Sequence, residues 1–72
     1  NPSQGEIKIT APLEWINADY LIINPLGQLV QAGIINDRNT LIKTDKLSDG
    51  TYTLIIQSGE KKLYCEQFIH IK

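Results

Sequence analysis

Seventy-two residues make one domain at most, and a chain this short buries only about 60 % of the surface it exposes when unfolded. The single cysteine, Cys65, excludes an intrachain disulfide, and one cysteine with one histidine, His70, is too few for an ordinary structural zinc site. Hydrophobic residues at 42 % exclude a disordered tail, and a net charge of −1 with interspersed signs excludes the basic footprint of a nucleic-acid or anionic-lipid binder.

The pattern is β throughout. Residues 6–10 alternate, with Ile7 and Ile9 on one face, and Pro12 ends the run. Leu13, Glu14, Trp15 and Ile16 read either as a short strand or as a loop that drops Trp15 onto the core. Residues 19–23 form a second strand. Tyr20 and Ile22 share one face and Leu21 and Ile23 the other, which predicts a central strand covered on both sides. Asn24, Pro25, Leu26 and Gly27 carry the type I turn signature, so the chain should return as a hairpin through residues 28–35 with Val30 and Ala32 inward.

Residues 36–39 are a polar turn cluster. Residues 40–44 give the fourth strand, with Ile42 and Thr44 inward. In the connection that follows, Leu47 should plug the end of the core, and Gly50 suits a backbone position of positive φ. Residues 51–57 are the clearest strand, with Tyr52, Leu54 and Ile56 on one face. Ser58, Gly59 and Glu60 turn the chain into the last strand, 61–72. There Leu63 and Cys65 start on one face, but Phe68, Ile69 and Ile71 cannot all share it. Either both faces are partly covered or a bulge near Glu66 and Gln67 shifts the phase. About six strands at short intervals, with no helical period, indicate a sandwich or small barrel, with sequence neighbours pairing antiparallel.

The chemistry on offer is sparse. His70 has no nucleophile beside it in sequence and reads as an edge or surface strand residue. Cys65 reads as a buried, inert thiol. Asp45 and Asp49 flank a turn, but calcium needs six to eight oxygens from a dense loop, so they serve turn formation. No phosphate loop, Ser-His-Asp order or metal spacing occurs, and a chain this small cannot enclose a substrate pocket without sacrificing its core. The expectation is therefore no enzyme and no cofactor. An aromatic platform for sugars is the other candidate. Of the aromatics Trp15, Tyr20, Tyr52 and Tyr64, Tyr52 alternates with Leu54 and Ile56 and so packs inward, and only Tyr64 and Trp15 remain for it.

Four stretches together resemble a known family. Asn1, Pro2 and Gly5 lie in an Asn-Pro-x-x-Gly opening. Gly27 follows Asn24 and Pro25 in a strand–turn–strand element. Gly50 and Tyr52 stand in Leu-x-x-Gly-x-Tyr-x-apolar, and Phe68, Ile69, His70, Ile71 and Lys72 form an apolar strand ending on lysine. In order and spacing these are similar to the type A C-terminal sorting domains of the type IX (Por) secretion system, over all 72 residues. Asn24 stands where the family usually has aspartate, and Glu66 and Gln67 where it often has lysines, which concerns reading by the machinery and not the fold.

The resemblance implies a small antiparallel Ig-like β-sandwich of about six to seven strands. It implies a non-catalytic signal, residues 1–72, at the end of a larger exported protein of Bacteroidetes-type bacteria. The chain opens at Asn1 without a methionine, which fits such a piece. The cargo would lie N-terminal in the same chain. It would pass through the periplasm, be recognised by outer-membrane secretion machinery, and reach the cell surface or the medium, often after cutting by a sortase-type protease. The proposed recognition residues are the motif positions named above, with the final strand, 63–72, offering an open edge to the machinery or to a dimer partner. A rival reading is an Ig-like spacer, adhesion or carbohydrate-binding module of an extracellular enzyme.

Overall fold

The structure, a computed structural model, describes residues 2, 3 and 5–71. Its strands are β1 (Pro2–Ser3), β2 (Glu6–Thr10), β3 (Asp19–Ile23), β4 (Leu29–Ile34), β5 (Asn39–Lys43), β6 (Gly50–Ser58) and β7 (Lys61–His70), with a 3-10 turn over Leu13–Trp15. Strands β1-β7-β6-β3-β4 make one sheet and β2-β5 a second. All pairs are antiparallel except β1 on β7, which is parallel. The chain is a small all-β sandwich.

Two hairpins organise the larger sheet. Between β6 and β7, Gly59 has φ +60° while Glu60 does not have positive φ, which is the type II′ arrangement that matches strand twist. Between β3 and β4, the Gly27 N–H donates to the Asn24 carbonyl at 3.0 Å, and Leu26 keeps negative φ while Gly27 sits at +83°. This is a type I turn followed by a left-handed residue, as the Asn-Pro-x-Gly signature predicts. The Asn24 side chain holds it, its Oδ1 accepting from the Leu26 and Gln28 N–H groups at 3.0 and 2.9 Å.

The sheets meet over Ile22, Leu54, Tyr52 and Phe68 on one side and Ile42 on the other, with Ile7 and Ile9 packed against them and Leu47 closing the end as expected. A second cluster, Ala11, Ala18, Ile35 and Ile56, lies where the chain passes between layers, and Trp15 and Leu63 pack on it. Each fully buried Ile or Leu contributes on the order of 1.5–3 kcal/mol, which is how a chain with no disulfide holds together.

Several sequence expectations need correction. Sequence neighbours pair only in the two hairpins; β2 pairs with β5, and β3 with β6. The reason is the apolar stripe of Ile7 and Ile9, which is satisfied only by lying over the other sheet. Strand β3 is central, between β6 and β4, but the second sheet covers only its Ile22 face; Leu21 and Ile23 stay half-exposed. Val30 and Ala32 do not point inward. The register slips between Ile22↔Gln31 and Ile23↔Leu29, leaving Val30 as the extra residue, 41 % exposed, and Gln31, Gly33 and Ile35 take the inner face.

Gly33 is demanded by packing. A Cβ there would collide with Tyr20 Cε2 and lie 2.8 Å from Cζ, because the tyrosine ring lies directly over the glycine opposite it. Gly33→Ala should therefore displace Tyr20 and destabilise the chain by about 1–3 kcal/mol. A denaturation midpoint unchanged from the parent would contradict this packing.

Candidate functional site

The described motif positions collect at one end of the sandwich. In β6 and β7, Gly50 lies opposite His70, Thr51 opposite Ile69, and Tyr52 opposite Phe68. Pro2 of β1 pairs with Ile69. Ile23, which enters the Gly27 turn, lies opposite Thr53, so that turn projects from the same end. The Gly5 carbonyl accepts from the Thr44 N–H at 2.8 Å, and the Thr44 carbonyl from Leu47 at 3.0 Å, so the opening glycine joins them through the loop that carries Leu47. Asn1 and Lys72 lie outside the described residues.

Within this end the residues divide by role. Tyr52 is buried, stacks on Phe68 with centroids 5.7 Å apart, and donates its hydroxyl to the Ser48 carbonyl at 2.6 Å. It therefore ties the core to the loop after β5. Phe68 is core. Ile69 and Ile71 face outward and are 47 % and 46 % exposed. With Leu26 of the Gly27 turn, which is 83 % exposed, they are apolar side chains at this end that a partner could touch.

The last strand departs from expectation in four respects. Its bulge lies at Leu63, between the pairs Ile56↔Tyr64 and Gln57↔Lys62, and not near Glu66 and Gln67. Tyr64, Glu66, Phe68 and His70 consequently turn toward the second sheet, and Cys65, Gln67 and Ile69 away from it. His70, expected at the surface, is fully buried. Cys65, expected buried, is an exposed free thiol. The native chain should thus react with a thiol-specific chromogenic reagent at one equivalent without denaturant; a thiol that appears only in urea would restore the buried reading. Finally, β7 is not an open edge at its end, because β1 lies along Ile69 and His70.

Sequence reasoning also missed a cleft of about 290 Å3 beside β2, walled by Ile7, Ile9, Trp15, Tyr64 and Glu66. Trp15 and Tyr64 touch, with centroids 5.3 Å apart and planes tilted by 49°. The Tyr64 hydroxyl donates to Glu66 Oε1. This bond holds the phenol above its usual value of 10.0, with burial and the glutamate charge acting in the same direction. The bond stabilises the folded chain while the phenol is protonated, and that contribution is lost as pH rises through the raised pKa. Glu66→Gln should lower the Tyr64 midpoint toward the ordinary value, read by phenolate absorbance. Placing the bulge correctly would have revealed the cleft, since it decides that Tyr64 and Glu66 turn toward the second sheet.

Among the described residues no group of three His, Cys, Asp or Glu could hold a metal ion, and no helix is long and apolar enough to cross a membrane. Over residues 1–72 the sequence matches the family described as the secretion system C-terminal sorting domain. The chain belongs to this family. No curated protein and no solved structure matches it. The sorting domain is a C-terminal sorting signal for type IX secretion, which implies a cargo part N-terminal to it, the secretion machinery as partner, and export to the cell surface or the medium.

Proposed function

We propose that residues 1–72 act as the single sorting domain of a larger exported protein and direct that cargo across the outer membrane without catalysing a reaction. The cargo reaches the periplasm first. There the folded domain is read by the outer-membrane machinery, and a sortase-type protease then cuts it from cargo destined for the surface. The motif residues at one end form the recognition element, with Tyr52, Phe68 and the turn glycines shaping it and Ile69 and Ile71 contacting the partner. The observation that supports this reading is the convergence of four stretches, far apart in sequence, on one end of the sandwich.

The test is a fusion. Residues 1–72 are joined to the C-terminus of a periplasmic reporter in a bacterium with an intact type IX system. The reporter should appear on the cell surface or in the medium, and should stay in the periplasm when that system is deleted. Retention in both strains would overturn the proposal.

A further inference from the structure

We propose that the free edge of β2 and the cleft beside it form a docking site for an extended segment of a partner protein, bound by strand addition. Strand β2 has a neighbour, β5, on one side only among the described residues. The hydrogen bonds at its two ends define what the other side presents. Thr44 N–H donates to the Gly5 carbonyl at 2.8 Å, and Ala11 N–H donates to the Arg38 carbonyl at 2.6 Å. Residues that bond the partner alternate with residues that turn both backbone groups away. Gly5, Ile7, Ile9 and Ala11 therefore face β5. Glu6, Lys8 and Thr10 aim their N–H and C=O groups at the open side.

That open side leads into the cleft. The second sheet has two strands and the first has five, so the inner face of β7 at Tyr64 and Glu66 has no strand above it. A strand added at the ordinary spacing of about 4.8 Å from β2 would lie over those residues. Trp15 would border it.

The same geometry sets the chemistry of the occupant. Its backbone meets three donor–acceptor pairs repeating at about 6.8 Å, a period that a polypeptide has and a sugar chain lacks. Its alternate side chains enter the cleft over Ile7, Ile9, Trp15 and Tyr64, where valine fits, and leave the Glu66 carboxylate to the Tyr64 hydroxyl that it already accepts from. The others lie beside Glu6, Lys8 and Thr10, all exposed, so complementarity calls for a base opposite Glu6 and an acid opposite Lys8. Read antiparallel, the fitting segment is Thr-Val-Glu-Val-Lys. That the partner belongs to the export machinery rests on the sorting reading; the docking does not.

The test titrates acetyl-Thr-Val-Glu-Val-Lys-amide into the 72-residue chain. Amide shifts should be largest at Glu6, Lys8 and Thr10, and the fluorescence of Trp15, the single tryptophan, should change with the same midpoint. N-methylation of the central glutamate should abolish both. Lys8→Glu should weaken this peptide and favour the one with lysine at its centre, each by about three- to tenfold. Shifts confined to Ile69 and Ile71, indifference to N-methylation, or a Trp15 response to a soluble β-glucan and not to the peptide would each overturn the site. A chain that binds the peptide yet fails to export the reporter refutes the sorting reading and leaves the docking site standing. Export without peptide binding does the reverse.

Discussion

Replacing Phe68 by alanine is expected to lower the thermal midpoint by roughly 12–40 °C. Phe68 is buried in the cluster with Ile22, Leu54 and Leu47 and stacks on Tyr52, so its removal opens a cavity in the contact between the sheets. Such truncations cost about 3–5 kcal/mol. In a domain of this size each kcal/mol moves the midpoint by roughly 4–8 °C. A 72-residue chain holds only roughly 4–11 kcal/mol in total, so one side chain accounts for a large part of the margin. The neighbouring Ile69→Ala is the control. That side chain is half out of the sheet and should cost less than about 1 kcal/mol. Melting curves followed by circular dichroism compare the two directly, and equal shifts would mean that the inward and outward faces of β7 have been assigned wrongly.

Deleting residues 68–72 from the full parent should trap cargo in the periplasm, and normal surface delivery would refute the sorting proposal. The deletion removes Phe68 from the core and Ile69 and His70 from their pairing with β1, so it acts on the fold as well as on any contact. A pair of outward substitutions, Ile69→Ser with Ile71→Ser, separates the two effects. It leaves the core intact and should reduce delivery while the melting midpoint falls little. If the pair is exported as well as the parent, these isoleucines do not touch the machinery.

The alternation of side chains carried most of the architecture. Strands β2, β3, β5 and β6 lie within one residue of where their polar–apolar pattern puts them. Leu47, Ile42, Thr44, Tyr52, Leu54 and Ile56 are buried as that pattern predicts. What failed was phase after a bulge. In β4 and β7 apolar residues occur on both faces, so a one-residue slip cannot be read from composition, and it reverses the fate of everything beyond it. Cys65 and His70 exchanged places for that reason, and the cleft at Tyr64 and Glu66 stayed hidden with them. Pairing between distant strands was likewise illegible. Nothing local in Pro2 and Ser3 announces a parallel partner almost seventy residues later; the resemblance marked those positions without saying what they touch.

That parallel pairing bears on how the domain responds to being pulled. Because β1 runs alongside β7 in the same direction, tension applied backward at residue 2 and forward at residue 70 slides the two strands past each other, loading their hydrogen bonds together. A β-hairpin drawn from its open end parts one rung at a time. Two rungs make a small latch, and its loss would bare the flank of β7 at Ile69 and His70 while the β6–β7 hairpin stays zipped, so traction on a heavy passenger would uncover the carboxyl-terminal strand before the sandwich itself came apart.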